Sequence, residues 1–203
     1  TLWAYPTSTV GLWGTRVNVG QTTGMTRVLS LGDVDGDGHR DVVGVDGAGA
    51  GWLMRGNGAR AYGAATKLGV DWSQAVLFAA AGDFDGDGFP DIFTTDAAGT
   101  LWLWSGTFVG GFKPPRVVGA GWDTITLIAG GIDFDGNGAT DLVARKADGT
   151  LALYIGDGRG GWNGNIQIGV GWNVMDAIFI ADDMTGDGLP DLLARNAAGE
   201  LVL

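Results

Sequence analysis

The sequence predicts an all-β fold built from about four repeats of fifty residues each. The first observation behind this prediction is an acidic loop that recurs four times, with leading aspartates at Asp33, Asp83, Asp133 and Asp183. The second is that the segments between the loops are short, rich in Val, Ile, Leu, Trp and Thr, and bounded by Gly, Asp and Asn. Such runs are typical of strands joined by turns, and a fixed period of this size is typical of stacked repeat units.

Each repeat contains segments for four strands. In the second repeat these are VLFAAAG at 76–82, DIFTTDAAG at 91–99, TLWLWSG at 100–106 and PRVVGAGW at 115–122. No segment keeps an apolar period of 3.6 residues over the ~10 to 12 residues that a helix needs. Four short antiparallel strands form one blade of a β-propeller, a fold with typically about 4 to 8 blades. We therefore predict one propeller domain over 1–203, with acidic loops at 33–41, 83–91, 133–141 and 183–191.

The amino-acid composition excludes several kinds of binding partner and cofactor. The chain has no cysteine, which excludes a disulfide framework and a thiolate zinc site. Its 12 Lys and Arg residues form no basic run, so we expect no nucleic-acid partner. No apolar run approaches the ~20 residues of a membrane helix, so we expect no membrane insertion. The net charge of -11 comes from the four loops, which hold 14 of the 23 acidic residues, and this concentration indicates cation binding.

The loop GDFDGDGFPD has the oxygen donors that calcium prefers, since calcium takes about six to eight oxygen ligands in flexible geometry. We predict that Asp83, Asp85, Asp87, the Phe89 carbonyl and Asp91 bind one calcium ion. The matching positions elsewhere are Asp33, Asp35, Asp37, His39 and Asp41; Asp133, Asp135, Asn137, Ala139 and Asp141; and Asp183, Thr185, Asp187, Leu189 and Asp191. Neutral Asn137 and Thr185 predict weaker binding in the last two of the four sites.

Two other interpretations of the loops fit less well. An EF-hand needs a glutamate at its twelfth position, where this chain has Gly44, Thr94, Ala144 and Ala194, and it needs flanking helices. Simple surface turns do not require acidic residues at fixed offsets in four registers. Magnesium is less suited than calcium because it prefers few protein ligands in strict octahedral geometry.

With the loop D-x-D-G-D-G-x-x-D recurring after a strand that ends in Gly-Asp, the chain resembles the FG-GAP/VCBS repeat of integrin-like β-propellers. The combination of TLWLW at 100–104 with VGAGW at 118–122 is similar to such domains in secreted proteins of actinobacteria. The resemblance covers nearly the whole chain. It implies a propeller with calcium in each loop, usually of seven blades, and a setting in a secreted or surface protein.

The chain departs from a seven-bladed ring. The TLW-type strand occurs at 1–5, 51–55, 101–104, 151–154 and 200–203, which gives five copies against four acidic loops. In a closed four-bladed ring the first and last copies would compete for one position. The sequence thus leaves open a closed four-bladed ring, an arc of a larger ring, and a ring that a second chain completes.

Catalysis has little support in the sequence. The single histidine, His39, lies inside the first loop, and the carboxylates outside the loops include Asp71, Asp123 and Asp176, whose spacing suggests no catalytic pair. We therefore predict that the domain is not an enzyme.

Aromatic residues recur at the repeat period and suggest a ligand site. The candidates are Trp13, Tyr62, Phe112 and Trp162 in the glycine-rich connections, with Trp72, Trp122 and Trp172 after the last strand of a repeat. Propeller lectins that this repeat resembles stack aromatic rings on sugars, which would make this chain a carbohydrate-binding module. One alternative is that these rings fill the space between blades, as we expect for Trp52, Trp102 and Trp104. Another is that the chain is a structural or protein–protein interaction domain that accompanies a secreted hydrolase.

Overall fold

The computed structural model describes residues 2–4, 15–22, 24–59 and 61–202. By its internal contacts the chain divides into two compact units. The first unit comprises Thr1–Ser73 and Thr107–Gly111, and the second comprises Gln74–Gly106 and Phe112–Leu203. The prediction of a single domain over 1–203 stays a prediction. No helix in the described part of the chain has both the length and the apolar character needed to cross a membrane.

The first unit contains one complete four-stranded antiparallel sheet and one strand pair. Its strands are β1 (Leu2–Ala4), β2 (Val17–Gly20), β3 (Met25–Gly32), β4 (Asp41–Asp46), β5 (Ala50–Met54) and β6 (Thr66–Asp71). β1 pairs with β2, and the other four pair in sequence order. Val43 in β4 lies between Leu29 of β3 and Leu53 of β5, and β4 is buried over its first five residues. The acidic loop at 33–41 joins β3 to β4.

The second unit contains two complete blades and a three-stranded sheet. Its strands are β7 (Leu77–Gly82), β8 (Asp91–Thr95), β9 (Thr100–Trp104), β12 (Arg116–Ala120), β13 (Ile125–Ile132), β14 (Asp141–Lys146), β15 (Leu151–Gly156), β16 (Trp162–Gly169), β17 (Met175–Ala181), β18 (Asp191–Asn196) and β19 (Leu201–Val202). The two-residue strands β10 (Gly106–Thr107) and β11 (Gly111–Phe112) pair with each other, and each has one residue in either unit. The sheet orders are β7-β8-β9-β12, β13-β14-β15-β16 and β17-β18-β19. Within this unit β13 lies beside both β7 and β17.

The predicted all-β propeller fold with four-stranded antiparallel blades is confirmed, and the predicted strands agree closely with the observed ones. The prediction differs at the end of the last strand of the second repeat, 115–122, because a short 3-10 turn forms at Trp122–Thr124, and a matching turn forms at Trp172–Val174 in the third repeat. Gly121 and Gly171 precede them with φ of 77° and 78°, a left-handed conformation that glycine adopts without steric cost. The chain therefore leaves the sheet before each tryptophan.

The core of the second unit lies on both faces of its second strands. All five residues of β8 are buried, as are the first four of β14. One cluster contains Phe84, Phe93, Leu101, Leu103, Trp122 and Leu142, and another contains Val143, Leu151, Leu153 and Ile178. Side chains of successive blades meet in both clusters, and this packing fixes the loops that leave the same strands.

Candidate metal centres and ligand pocket

The last aspartate of each acidic loop anchors the loop backbone. Fully buried Asp91 accepts hydrogen bonds at Oδ2 from the N–H groups of Phe84 and Asp85, at 3.0 and 3.3 Å, and at Oδ1 from the N–H of Gly106, at 2.8 Å. Asp41 and Asp141 form the matching bonds to the start of the loop and to Gly56 and Gly156. Asp191 likewise accepts from Met184 and Thr185. These carboxylates hold the start of each loop, and in the first three loops also the end of the third strand.

The three glycines that donate to these aspartates lie very close to the backbone of the residue that precedes each aspartate. A Cβ on Gly106 would lie 2.5 Å from the Pro90 carbonyl oxygen. The same position at Gly56 and Gly156 faces the carbonyl oxygens of Arg40 and Thr140. Sequence reasoning missed these glycines, although their spacing of fifty residues was available as a signal.

The carboxylate of the first aspartate accepts hydrogen bonds from backbone N–H groups later in the same loop. Asp33 Oδ1 accepts the N–H groups of Gly36 and Asp37 at 2.8 and 3.1 Å, and Oδ2 accepts the N–H of Gly38 at 2.7 Å. Asp133 and Asp183 repeat this pattern. These bonds fix the conformation of the loop backbone next to its first aspartate.

Three of the four loops bring three carboxylates together. The ligand atoms of each trio lie within 4.8 Å of one another, and the trios are Asp33, Asp35 and Asp37; Asp83, Asp85 and Asp91; and Asp133, Asp135 and Asp141. Loop 183–191, which lies wholly within the described residues, forms no such trio. Thr185 stands there where the other loops have an aspartate, and its hydroxyl lies 3.4 Å from Asp191 Oδ1.

Loop 83–91 has carboxylate oxygens that suit a bound cation. Asp83 Oδ1 and Asp85 Oδ1 are buried and accept no hydrogen bond within the described structure. Buried carboxylate oxygens normally have a donor or a metal partner, because leaving them without one is costly. Oxygen donors that converge in this way suit a hard cation such as calcium.

The electrostatics of the loops also favour a bound cation. Burial raises the pKa of Asp91 to about 7, and the nearby negative charge of Asp85 adds to this effect. Burial raises the pKa of Asp41 and of Asp141 in the same direction. Burial without a counter-charge disfavours the ionised carboxylate. A divalent ion in the loop would lower the pKa of the buried aspartate again and so favour its ionised form.

In the described part of the chain, two of the loops have an aspartate that pairs with a basic side chain from outside the loop. Arg55 Nε donates to Asp35 Oδ2 at 2.5 Å, and Lys113 Nζ donates to Asp87 Oδ2 at 2.5 Å. The hydrogen bond to Asp87 raises the pKa of Lys113. In the same loop Ser105 Oγ donates to Asp85 Oδ2 at 2.6 Å. No sequence pattern points to Lys113, which is 26 residues from Asp87 and has no basic counterpart at the same position of the other repeats.

The residues predicted to offer backbone carbonyls have a second role. The N–H groups of His39, Phe89, Ala139 and Leu189 donate to the side chains of Asp37, Asp87, Asn137 and Asp187, respectively, at 2.8 to 3.0 Å. These bonds orient the fifth residue of each loop. Calcium coordination by the four carbonyl oxygens stays a prediction.

Most of the aromatic candidates pack inside their units. Trp72 and Trp122 are 2% and 5% exposed, and the Trp122 ring lies 4.6 Å from Tyr154. Half-buried Trp162 lies 4.6 Å from Phe84, and its Nε1 donates to the Val118 carbonyl at 2.8 Å. Trp172 packs against the other core cluster. The faces of these four rings are largely covered by protein, which agrees with the alternative that they fill the space between blades.

The remaining tryptophans differ from the expectation of a core position. Trp52 and Trp102 are half-buried, and each indole N–H donates to an aspartate, Asp46 or Asp96, at 2.9 Å. Trp104, also half-buried, donates to the Thr94 hydroxyl at 3.0 Å. A half-buried indole whose N–H keeps a polar partner is not free to move into the core. Phe112 is half-buried, and Trp13 lies outside the described residues.

The first unit contains a pocket beside Tyr62, with a volume of about 320 Å³. Val17 and Val19 of β2 form its apolar side, and His39, Arg40 and Asn57 lie on its polar side. The Tyr62 N–H donates to the Val19 carbonyl at 2.7 Å, and Asn57 Oδ1 accepts the N–H groups of Ala59 and Ala61. The first acidic loop thus forms one wall of a small, preformed pocket.

Solved structures similar to this chain include two lectins. A BP39L lectin from Burkholderia pseudomallei is 18% identical with a TM-score of 0.63, and the match covers 94% of this chain and 55% of that one. A lectin of Agrocybe aegerita that recognises non-reducing terminal N-acetylglucosamine is 23% identical with a TM-score of 0.59, over 90% of this chain and 51% of that one. The chain thus spans about half the length of these lectins. At these identities the likeness concerns the fold.

A comparison with curated proteins finds no match. The family model described as an FG-GAP-like repeat matches residues 33–94 and 133–194, which together make up more than half of the chain. Each matched segment starts at the first aspartate of one acidic loop and includes the whole of the next, so the match rests on the loops and strands described above. The chain therefore belongs to the FG-GAP-like repeat family.

Proposed function

We propose that this propeller is a non-enzymatic, calcium-stabilised binding module of a secreted or cell-surface protein, and that its ligand is a carbohydrate. The observation that carries the calcium part is the pair of buried, unpartnered oxygens, Asp83 Oδ1 and Asp85 Oδ1. The observation that carries the carbohydrate part is the pocket beside Tyr62, in a fold shared with two lectins.

Calcium would be held by the carboxylate trios, with further oxygens from the loops. When bound, the ion would neutralise the clustered charge and link the two ends of the loop. Asp83 and Asp133 hold the loop backbone through their N–H partners, while Asp91 and Asp141 join it to the third strand. An ion that binds only the folded loop stabilises the fold, so its role here is structural.

The pocket beside Tyr62 has features of a small sugar site. Its volume of about 320 Å³ is at the low end of the ~300 to 1,000 Å³ typical of ligand sites, which favours one sugar ring over a long oligosaccharide. Tyr62 offers an aromatic ring, and His39, Arg40 and Asn57 offer hydrogen-bonding groups. Arg60, another candidate donor, lies outside the described residues.

A setting outside the cell and the absence of catalysis complete the proposal. Calcium-binding modules outside the cell typically have Kd values of ~10⁻⁴ to 10⁻³ M. Loops of such modest affinity are filled at the calcium concentration found outside cells. The only histidine, His39, lines the pocket, and the acidic trios are enclosed within their loops. Neither arrangement offers the paired acid and base that hydrolysis of a glycosidic bond requires.

The test of the carbohydrate ligand is a glycan array with the full chain in calcium, followed by titration of any hit. We expect weak binding of a terminal monosaccharide, and Tyr62→Ala should reduce it at least tenfold. Phe179→Ala is the matched control, because Phe179 is a 51% exposed aromatic residue of the other unit. Absence of binding at millimolar sugar would reject the lectin role.

A protein-binding role is the second candidate. The second unit exposes several apolar side chains near the fourth loop, with Phe179 at 51%, Met184 at 61% and Leu189 at 56% exposure. Exposed apolar groups of this kind often mark interaction surfaces. A negative glycan array together with loss of a protein partner on Met184→Ser would favour this candidate.

A further inference from the structure

The acidic loops differ in whether a basic side chain enters them. Arg55 pairs with Asp35 in the first loop and Lys113 pairs with Asp87 in the second. Among the described residues no ion pair involves the third loop, 133–141. Ile155 of that repeat stands fifty residues after Ser105 and one hundred after Arg55, so the third repeat has no basic residue at the position of Arg55.

We infer that Arg55 and Lys113 are built-in counter-ions that lower the calcium affinity of their loops and hold the loop carboxylates in place when calcium is scarce. This inference rests on the calcium binding proposed above and adds the residues that tune it. The four aspartates of each of the first two loops carry four negative charges, and the third loop, with Asn137, carries three. Arg55 and Lys113 each pair with one of these aspartates, which leaves three aspartates without an ion pair in each of the first two loops, the same number as in the third loop.

The geometry of the second loop shows how the counter-ion acts. Lys113 Nζ lies 2.5 Å from Asp87 Oδ2, and Asp87 is the aspartate of this loop that does not belong to the carboxylate trio. The trio is instead Asp83, Asp85 and Asp91. For Asp87 to bind the ion it must give up or share Lys113, so calcium competes with the ammonium group for this carboxylate.

Arg55 acts from a more fixed position. Its Nε contacts Asp35, a member of the first trio, while its Nη1 donates to the Thr66 hydroxyl at 3.5 Å. The Asp35 side chain is 12% exposed and that of Arg55 is 41% exposed. A guanidinium bound at two points stays close to a divalent ion in the loop. Repulsion between a single and a double positive charge ~5 Å apart, screened by water and salt, reduces affinity by about five- to tenfold.

This inference changes the order of affinities that the sequence alone predicts. Counting carboxylates ranks the first two loops above the third. With the counter-ions included, the third loop should match them at physiological ionic strength. Of these three loops it should also be the one whose order depends most on calcium, because among the described residues no basic side chain pairs with its carboxylates.

The test compares Lys113→Met and Arg55→Met in the full chain. Calcium affinity is measured by competition with a chromophoric chelator, and thermal midpoints are measured in chelator and in excess calcium. Each variant should bind calcium at one site about five- to tenfold more tightly than the wild type. Each should also melt at a lower temperature in chelator and show a larger gain on adding calcium.

Two controls separate the counter-ion effect from loss of any surface ion pair. Arg195→Met removes a pair with Asp176 at 2.8 Å whose arginine is 49% exposed, against 50% for Lys113, and which lies outside the acidic loops. It should leave calcium affinity within about twofold, as exposed pairs contribute little. Lys113→Arg keeps the charge and should keep wild-type affinity.

The outcomes distinguish this inference from the proposed function. If the wild type binds calcium and both methionine variants bind it with unchanged affinity, the counter-ion role is wrong and the calcium sites stand. If the wild type binds no calcium at millimolar concentration, the proposed calcium function is itself wrong, and the tuning role is wrong with it. Tighter binding in both variants but not in Arg195→Met supports the inference.

Discussion

Asp91 is fully buried and accepts three backbone hydrogen bonds, from Phe84, Asp85 and Gly106. Its two oxygens join the start of the loop to Gly106, the first residue of β10, so one side chain sets the distance between two segments of backbone. An asparagine has the same shape but replaces one acceptor oxygen with a donor. The carboxylate is therefore needed for the fold as well as for a bound ion.

We expect Asp91→Asn to lower the free energy of unfolding by about 1 to 3 kcal/mol even in chelator, because a buried N–H group loses its acceptor. Chemical denaturation in the presence of chelator measures this change. Exposed Asp182→Asn is the control and should stay within about 0.5 kcal/mol of the wild type. An unchanged unfolding free energy for Asp91→Asn would show that the carboxylate serves calcium alone.

The raised pKa of Asp91 predicts how stability depends on pH in calcium-free buffer. The pKa rises from 3.8 to about 7 on folding, so between these values the folded state holds a proton that the unfolded state has lost. The free energy of unfolding should consequently fall as pH rises from about 4 to about 7, and it should be level above that. Asp41 and Asp141, whose pKa values are also raised, act in the same direction.

Carboxylates with lowered pKa values act in another range of pH. Backbone and side-chain hydrogen bonds hold the pKa of Asp46 and Asp96 below the ordinary value, so the stability they contribute is lost only below about pH 4. Urea titrations at pH 5, 6, 7 and 8 test the prediction, and Asp91→Asn should show a smaller slope. A wild-type stability that rises steadily over this range would contradict it.

How far the sequence predicts a residue's role depends on where its partners lie. A local sequence pattern predicts that Asp83, Asp85 and Asp91 share one site. Their carboxylate oxygens do lie within 4.8 Å of one another. The pairing of Asp87 with Lys113 joins residues far apart in the chain, and no repeat of the pattern reveals it. The same is true of the Gly106 N–H, whose acceptor Asp91 lies on another strand.

The connections between the third and fourth strands contribute packing, one of the two roles that the sequence left open for their aromatic residues. In the third repeat Trp162 is the first residue of β16, directly after this connection, and its ring lies 4.6 Å from Phe84 and 5.7 Å from Phe93, both of the preceding repeat. The N–H of Gly160 donates to the Phe84 carbonyl at 2.9 Å. This connection therefore joins two successive blades of the second unit next to the acidic loop at 83–91.

We expect Trp162→Ala to lower the free energy of unfolding by about 3 to 5 kcal/mol, since it removes a large ring from the core of the second unit. Thermal and urea unfolding measure the loss. Phe179→Ala is the matched control, because Phe179 is 51% exposed in the same unit, and it should cost less than about 1 kcal/mol. A small loss for Trp162→Ala, together with a loss of sugar binding, would instead restore the ligand role.

The strands were predictable because alternation and turn residues are local signals. In β14 the run DLVA is buried, and its start follows directly from the loop motif. The direction of a repeated aromatic is not a local signal. Trp122 and Trp172 both follow a G-x-G motif, and only the packing of the second unit shows that Trp122 is buried and Trp172 half-buried.

At the scale of the whole chain, the net charge of -11 is concentrated in loops that the fold holds in a compact form. Keeping like charges together opposes folding, and the built-in pairs of Arg55 and Lys113 relieve only part of this repulsion. Filling all four loops with divalent ions would leave a net charge of minus three. Calcium should thus change the overall charge of the molecule more than its shape.

The number of bound ions is the prediction that tests this view of the molecule. We expect native mass spectrometry to show three calcium ions at moderate calcium, one for each carboxylate trio, and a fourth only at higher concentration, because loop 183–191 lacks a trio. Anion-exchange elution should move to lower salt with calcium than with chelator, and Thr185→Asp should strengthen the fourth site. Magnesium at equal concentration should produce little of either effect, since it prefers few protein ligands. Zero or one bound calcium ion, or an elution position that does not change, would show that hydrogen bonds and basic side chains alone hold the loops.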